Sequence, residues 1–142
     1  MKQRIRKSDG EKTNKYLNQK VEYDGIKFDS KREMRRYVFL KEAEKNGIIT
    51  RLEIHPKFEL IPAVRETYTK TLKTKIKECE RTLQLAITYT ADFSYYKGDE
   101  YIVEDVKISP KLLPKEFVLK EKMMFALKNI KVKKVFSIKE PI

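Results

Sequence analysis

The chain has 142 residues, of which 33 are lysine or arginine and 21 are aspartate or glutamate, so its formal net charge at pH 7 is +12. A hydrophobic fraction of 40%, with eight tyrosines and seven phenylalanines, predicts a folded chain of one domain that is long enough to bury a core. The excess positive charge favours a polyanionic partner such as a nucleic acid. A basic protein that binds no nucleic acid is the alternative.

The cysteine count and the hydropathy pattern restrict the compartment. The single cysteine, Cys79, excludes an intramolecular disulfide and a cysteine-rich zinc site. No apolar run approaches the roughly 20 residues that a membrane-spanning helix needs. No apolar signal-peptide core follows the N-terminal charges. We therefore expect a cytoplasmic protein with no membrane partner.

The N-terminal segment differs from the rest in composition. Residues 1–18 are polar and basic and have no apolar periodicity, which predicts a flexible arm that orders on nucleic acid. Within it Arg4, Arg6 and Lys7 are candidate contacts to a DNA backbone. The alternative is an unstructured terminus that only aids solubility. Residues 19–142 are predicted to form a single domain.

A hairpin and a helix are predicted first. Residues 21–28 alternate around Asp24-Gly25, a pair that suits a two-residue type I′ turn. Ser30 is expected to begin a helix, because Glu33 follows at capping-box spacing. Asn46-Gly47 is a typical helix end.

The middle of the chain is predicted to be extended. Residues 51–60 alternate in polarity and predict one strand with a bend or bulge at Pro56. Residues 63–84 contain many threonines and lysines but few apolar anchors, which favours an extended excursion, with a long hairpin as one form of it. A substrate-binding element and a dimerisation element are the two roles considered for this segment. Two further strands are predicted at residues 85–96 and 100–108.

The C-terminal third completes the domain. Residues 109–114 predict a loop between two prolines, and residues 117–130 predict an amphipathic helix. Residues 131–138 alternate again and predict a closing strand beside the preceding hairpin. This order of elements predicts a mixed α/β domain with a central β-sheet flanked by helices.

The strongest chemical signal lies on the two strands joined by the turn at residues 97–100. Strand side chains alternate between faces, so Asp105 and Lys107 point the same way while Glu104 points the other way. The turn is expected to fold Asp92 back toward this pair. Two carboxylates and a lysine at one edge can hold Mg²⁺ against a phosphodiester, which predicts a nuclease.

In such a nuclease Asp92 and Asp105 would bind the cation, and the main-chain carbonyl of Val106 would be a third ligand. Lys107 would hold the attacking water or offset charge on the phosphate. The alternative for Asp105 and Lys107 is an ion pair on an exposed strand, which is common in lysine-rich chains. Their paired hairpin and the acids upstream favour the active-site interpretation.

Four further residues have two interpretations each. Glu33 is explained by the capping box alone, yet its helical face would also let it reach the cation. Glu104 is a less favoured site residue than Asp105, because it points to the opposite face unless a β-bulge exchanges the faces of the two residues. For His55 a structural or surface role is favoured over contact with the scissile phosphate. Lys120 either extends to solvent or reaches the site.

The lysines in and after the loop at residues 109–114 are predicted to hold the DNA backbone. These are Lys111, Lys115, Lys120 and Lys122.

The pattern of Asp92, then Asp105-x-Lys107, with Glu33 on a preceding helix, resembles the PD-(D/E)XK nuclease superfamily and its restriction-endonuclease-like core. Four blocks are also similar to a small phage and prophage family, whose members look like relatives of the phage endonuclease I type of Holliday-junction resolvase. The likeness extends over residues 14–138, and the blocks are residues 23–33, 54–60, 89–93 and 103–107.

The resemblance implies an endonuclease that uses Mg²⁺ or Mn²⁺ to cut branched DNA as a homodimer, in phage recombination or replication within the host cytoplasm. Ala91 stands where the superfamily has proline, and His55 stands where the family often has glutamine, so no role carries over to His55. Two alternatives stay open. One is a sequence-specific restriction- or transposon-type nuclease. The other is a non-catalytic DNA-binding recombination accessory protein whose acids are structural.

Overall fold

The computed structural model describes residues 19–142. The arm predicted at residues 1–18, with Arg4, Arg6 and Lys7, lies outside the described residues. Over residues 19–142, neither helix combines the length and the apolar content needed to cross a bilayer.

The predicted first hairpin and helix are both confirmed. Strands β1 (Val21–Tyr23) and β2 (Ile26–Phe28) pair around Asp24 and Gly25, whose φ angles of 54° and 72° are those of a type I′ turn. Helix α1 (Lys31–Lys45) begins after Ser30, whose hydroxyl accepts a hydrogen bond from the Glu33 N–H at 3.2 Å. It ends at Asn46, before Gly47 at φ 73°.

The bend predicted at Pro56 is confirmed, but the prediction that residues 51–60 form one strand is wrong. The structure has two strands, β3 (Thr50–Ile54) and β4 (Lys57–Ile61), which pair in different sheets. They separate because His55 has a left-handed backbone, with φ 54°, and Pro56 has no N–H to continue the ladder.

The long hairpin predicted at residues 63–84 is confirmed. Strands β5 (Val64–Thr71) and β6 (Ile76–Gln84) form an antiparallel ribbon that pairs with no other strand of the described residues. The ribbon continues from β4 on one side and leads into β7 (Ile87–Thr90) on the other.

The strand predicted at residues 85–96 is also broken in two. It consists of β7 and β8 (Phe93–Lys97), which separate at Asp92. This break lies beside the one at His55, because the His55 N–H donates to the Asp92 carbonyl at 2.9 Å and the Ala91 N–H donates to the Pro56 carbonyl at 3.0 Å. Both long strands therefore bend at the same place.

The central sheet is completed by β9 (Glu100–Val106) and, after α2 (Lys115–Lys128), by β10 (Lys133–Val135). The strand order is β10-β9-β8-β3, with β10 parallel to β9 and the remaining pairs antiparallel. The closing strand lies beside the hairpin as predicted but is shorter, and α2 begins and ends two residues earlier than predicted. Over the described residues the fold class is mixed α/β, with one four-stranded mixed sheet, three two-stranded antiparallel sheets and two helices.

The helices cover opposite faces of the sheet. Phe93 and Tyr95 of β8 pack in a cluster with Leu40 of α1. Val103 of β9 packs in a second cluster with Met124 of α2. Alternation along β9 therefore directs odd-numbered side chains toward α2 and even-numbered ones toward α1.

Candidate active site

The end of β9 brings Asp105 and Lys107 together on the α2 face, as the strand alternation predicted. The Lys107 ammonium lies 2.7 Å from Asp105 Oδ1. It also lies 4.1 Å from the centre of the Phe117 ring of α2, so the ring face adds a cation–π attraction. The Lys107 side chain is 20% exposed. Lys107 is therefore held in position and still reachable from solvent.

Asp92 lies at the shared bend of the strands and faces this pair, as expected. Its Oδ2 accepts a hydrogen bond from the Val106 N–H at 2.7 Å, which joins the bend to β9. Burial, together with the negative charges of Asp105 and Glu33, raises the pKa of Asp92 to about 8. The carboxylates of Asp92, Asp105 and Glu33 thus lie close enough for their charges to interact.

Tyr89 is a site residue that sequence reasoning did not assign. Its hydroxyl donates a 2.5 Å hydrogen bond to Asp105 Oδ2. Burial and the Asp105 charge raise the pKa of Tyr89. Because Lys107 contacts Oδ1, both oxygens of Asp105 have partners. The strand pattern placed Tyr89 near the motif but contained no signal that its hydroxyl would reach Asp105.

Glu33 and His55 extend the acidic group toward α1. Glu33 is only 3% exposed, and its Oε1 lies 2.5 Å from His55 Nε2. Its Oε2 accepts the Asp29 N–H at 3.2 Å, so this carboxylate caps the helix start and faces the site as well. Burial raises the pKa of Glu33. The structure places the His55 ring against Glu33, a position that the sequence did not indicate.

Glu104 lies on the opposite face from Asp105, as predicted, and no bulge exchanges the two. It is fully buried and forms a bidentate pair with Arg36 of α1, at 2.7 and 3.0 Å. The Tyr95 hydroxyl also donates to Glu104 Oε2 at 2.8 Å. Arg36 completes its bonds with the carbonyls of Ile138 and Glu140, at 2.8 and 2.7 Å. This network joins β9 to α1 on the face of the sheet opposite Asp105.

A cleft of about 360 Å³ opens over Asp105 and Lys107. Thr88 and Thr90 of β7 line it, as do Glu116 and Lys120 of α2. A larger cavity of about 710 Å³ lies between the first hairpin and α1 and is lined by none of the predicted catalytic residues. Of the predicted catalytic residues, Asp105 and Lys107 therefore line the smaller cleft, whereas Asp92 and Glu33 are not among its lining residues.

The predicted DNA-binding lysines lie in three different places relative to the cleft. Lys120 lines the cleft, where its ammonium lies 2.8 Å from Glu116. Lys111 and Lys115 are exposed in and just after the loop at the cleft rim. Lys122 is exposed beside a different hollow, which Phe125 and Lys131 also line.

A divalent cation needs several oxygen donors, and the acids of this site supply some of them. Within residues 19–142, no three histidine, cysteine, aspartate or glutamate side chains are disposed around one point as a metal cage. Mg²⁺ does not require such a cage, because it keeps several waters and commonly binds one or two carboxylates together with substrate phosphate. Asp92, Asp105 and the Val106 carbonyl fit that mode, provided that an ion displaces Lys107 or Tyr89 from Asp105.

Comparison with known proteins places the chain in one family. Residues 13–141 match the family described as Protein of unknown function, DUF1064. The search of curated proteins and the search of solved structures returned no match. Because the match extends over most of its length, the chain belongs to the DUF1064 family.

Proposed function

We propose that this protein is a metal-dependent endodeoxyribonuclease of the PD-(D/E)XK type, with a restriction-endonuclease-like core. The observation that carries the proposal is that Asp92 accepts a hydrogen bond from the N–H of Val106, the residue after Asp105, while the Asp105 carboxylate contacts Lys107 in the cleft. The arrangement of a mixed sheet, helices on both faces and acids on adjacent strands supports the core assignment.

The excess of negative charge supports a cation site. Burial first, and then the charges of Asp105 and Glu33, raise the pKa of Asp92 to about 8 and so oppose its ionisation. A divalent cation would favour the ionised carboxylates by supplying the missing positive charge. Asp92, Asp105 and the Val106 carbonyl would hold Mg²⁺ or Mn²⁺, and Glu33 would contribute through water. The ion supplies Lewis-acid stabilisation of charge on the phosphate oxygens.

Other side chains of the site would have the remaining roles in catalysis and DNA binding. Lys107, released from Asp105, would orient the attacking water and offset charge that develops on the phosphoryl oxygens. His55 would keep Glu33 in position through the 2.5 Å contact. Lys111, Lys115 and Lys120 would contact DNA phosphates along the cleft, with Arg4, Arg6 and Lys7 of the arm and Lys122 further away.

We further propose that the substrate is branched DNA and that the active form is a homodimer in the host cytoplasm. The basis is the four-block sequence likeness to resolvases, together with the net charge of +12. Symmetric cutting of two strands requires two equivalent sites, which an isologous pair of subunits supplies.

A DNA-binding accessory protein without catalysis is the second candidate. The observation that favours it is that Asp105 already accepts from Tyr89 and Lys107, while Asp92 accepts from Val106. Acids satisfied in this way can act as structural links between strands.

Cleavage of a labelled four-way junction, beside linear duplex and single strand of matched sequence, separates these candidates. We expect cutting of the junction with Mg²⁺ or Mn²⁺ and none in EDTA. Asp105→Asn should slow it about 10³-fold, because the variant removes a cation ligand. Asp99→Asn is the matched control, since Asp99 is exposed in the turn of the same hairpin, and should cut normally.

The other outcomes are equally specific. Cutting of linear duplex at a defined sequence would indicate the restriction- or transposon-type nuclease. Binding of DNA with no cutting in either metal would contradict the nuclease and favour the accessory protein.

A further inference from the structure

The β5–β6 ribbon lies next to the site, and packing within the fold does not explain why the chain forms it. Its strands pair only with each other among the described residues, and nearly all of its side chains are exposed. Its strands continue from β4 and into β7, and β7 lines the catalytic cleft. A ribbon with no core of its own costs conformational entropy, which a bound partner would offset.

The strand register assigns the side chains to two faces. Cross-strand partners lie on the same face, so the pairs Tyr68 with Cys79 and Lys70 with Lys77 share one face. Arg81 lies on that face as well, where it contacts Glu66 and stacks over the Tyr68 ring at 5.3 Å. We call Tyr68, Lys70, Lys77 and Arg81, with Lys73 and Lys75 at the tip, the basic face.

The distribution of charge on this face is unusual. Lys70 and Lys77 are direct cross-strand neighbours, an arrangement that is destabilising for like charges. Within residues 19–142, no carboxylate forms an ion pair with either of them. The segment 70–77 contains four lysines and no acid. An anion placed between these lysines would relieve the repulsion.

The other face has the opposite character. It carries Thr67, Thr69, Glu78 and Glu80, and its one cation, Arg65, lies 3.6 Å from Glu80. Positive charge is therefore concentrated on one side and at the tip of the ribbon. A ribbon evolved only for solubility would not need this separation, whereas a polyanion that contacts one side would match it.

We propose that the basic face and tip of the β5–β6 ribbon dock on the phosphate backbone of duplex DNA beside the catalytic cleft. The eight residues of β5 span about 26 Å at the usual rise per residue. That length corresponds to roughly seven or eight base-pair steps, and a two-stranded ribbon fits the DNA major groove. The inference rests on the proposed function for its ligand, and it assigns that ligand to a surface outside the catalytic centre.

DNA affinity of the full chain in EDTA tests the ribbon separately from cleavage. The ribbon variant carries Lys70→Ala, Lys73→Ala, Lys75→Ala and Lys77→Ala together. A matched control removes four exposed lysines elsewhere, with Lys27→Ala, Lys45→Ala, Lys128→Ala and Lys139→Ala. Both variants lose the same net charge. Fluorescence anisotropy of a labelled duplex across a salt series measures affinity and its salt dependence.

We expect the ribbon variant to bind roughly 10³-fold more weakly near 0.1 M salt, and the slope of log affinity against log salt to fall by about 3 to 4. The control should lose less than about 5-fold. Equal losses in the two variants would overturn the inference, since net charge alone would then explain them. Unchanged DNA affinity with an altered oligomeric state would also overturn it and make the ribbon a subunit contact.

The two proposals fail in different ways. A loss of binding specific to the ribbon variant supports the DNA-docking surface even if the wild type cuts nothing with Mg²⁺. In that case only the proposed nuclease function fails. Circular dichroism of both variants checks that the exposed substitutions leave the fold intact.

Discussion

Asp92→Asn is expected to abolish metal-dependent cleavage and at the same time to stabilise the metal-free protein at pH 8. The variant removes a cation ligand, so cleavage should fall about 10³-fold. It keeps the side-chain carbonyl that accepts the Val106 N–H, so the link between the bend and β9 is retained. Loss of activity would then coincide with a gain in stability, which a purely structural acid would not produce.

The pH dependence of this gain has a definite sign. The ordinary pKa of an aspartate is 3.8, and in the folded protein that of Asp92 is raised to about 8. Between these values the native state holds a proton that the unfolded chain has lost. The free energy of unfolding therefore falls as pH rises from about 4 to about 8, by at most about 1.4 kcal/mol per pH unit. The amide side chain that replaces Asp92 in the variant cannot ionise, so the variant lacks this contribution.

Urea unfolding of both proteins in EDTA at pH 5, 6.5 and 8 measures the difference. The stability of Asp92→Asn relative to the wild type should increase steadily with pH, and Mg²⁺ should raise the stability of the wild type only. A variant that is less stable by the same amount at every pH would mean that Asp92 is ionised and structural.

Arg36→Met is expected to have the largest effect on stability, lowering the free energy of unfolding by about 3–5 kcal/mol. The guanidinium and Glu104 are both fully buried, so the variant leaves a carboxylate in the core with only the Tyr95 hydroxyl as a partner. It also frees the carbonyls of Ile138 and Glu140. Urea unfolding measures the loss.

The double variant Arg36→Met with Glu104→Gln is the control for this prediction. Its neutral amide can still accept from Tyr95, so the charge left in the core is removed. We expect the double variant to recover about 1–2 kcal/mol relative to Arg36→Met. A double variant that is no more stable than the single one would contradict the interpretation that an unpaired buried charge causes the loss.

The parts of the fold that the sequence predicted are those determined by local chemistry. The type I′ turn follows from Asp24-Gly25, the helix start from Ser30 and Glu33, and the shared face of Asp105 and Lys107 from strand alternation. These features depend on residues within a few positions of one another. Predicting these features therefore required no knowledge of the tertiary packing.

The bends at His55 and Asp92 depend on tertiary pairing. Apolar alternation continues on both sides of each bend, and at Ala91-Asp92 a single aspartate without a glycine or proline is only a weak signal for the end of a strand. Two backbone hydrogen bonds between the bends fix them, and those bonds join positions more than 30 residues apart. The sequence therefore predicted the bend at Pro56 but a continuous strand through Asp92, where the structure has the other half of the corner.

The side chains that contact the acids could not be predicted from the sequence, for the same reason. Tyr89 reaches Asp105, and His55 reaches Glu33, only because the bent strands approach each other. Arg36 looks like an ordinary helical arginine, and only the position of β9 places Glu104 against it. Residue types and spacing predicted which acids would gather, whereas the contacts that satisfy them required the fold.

The most direct test of a cation site is paramagnetic broadening of amide signals by Mn²⁺ in the ¹⁵N-labelled protein without DNA. This measurement responds even to weak binding, because a small fraction of bound Mn²⁺ broadens nearby signals. We expect the amides of Asp92, Val106 and Lys107 to broaden first in the wild type, and the corresponding amides to stay sharp in the Asp92→Asn variant. Broadening confined to other acids, or equal broadening in the two proteins, would contradict a metal centre at this cleft.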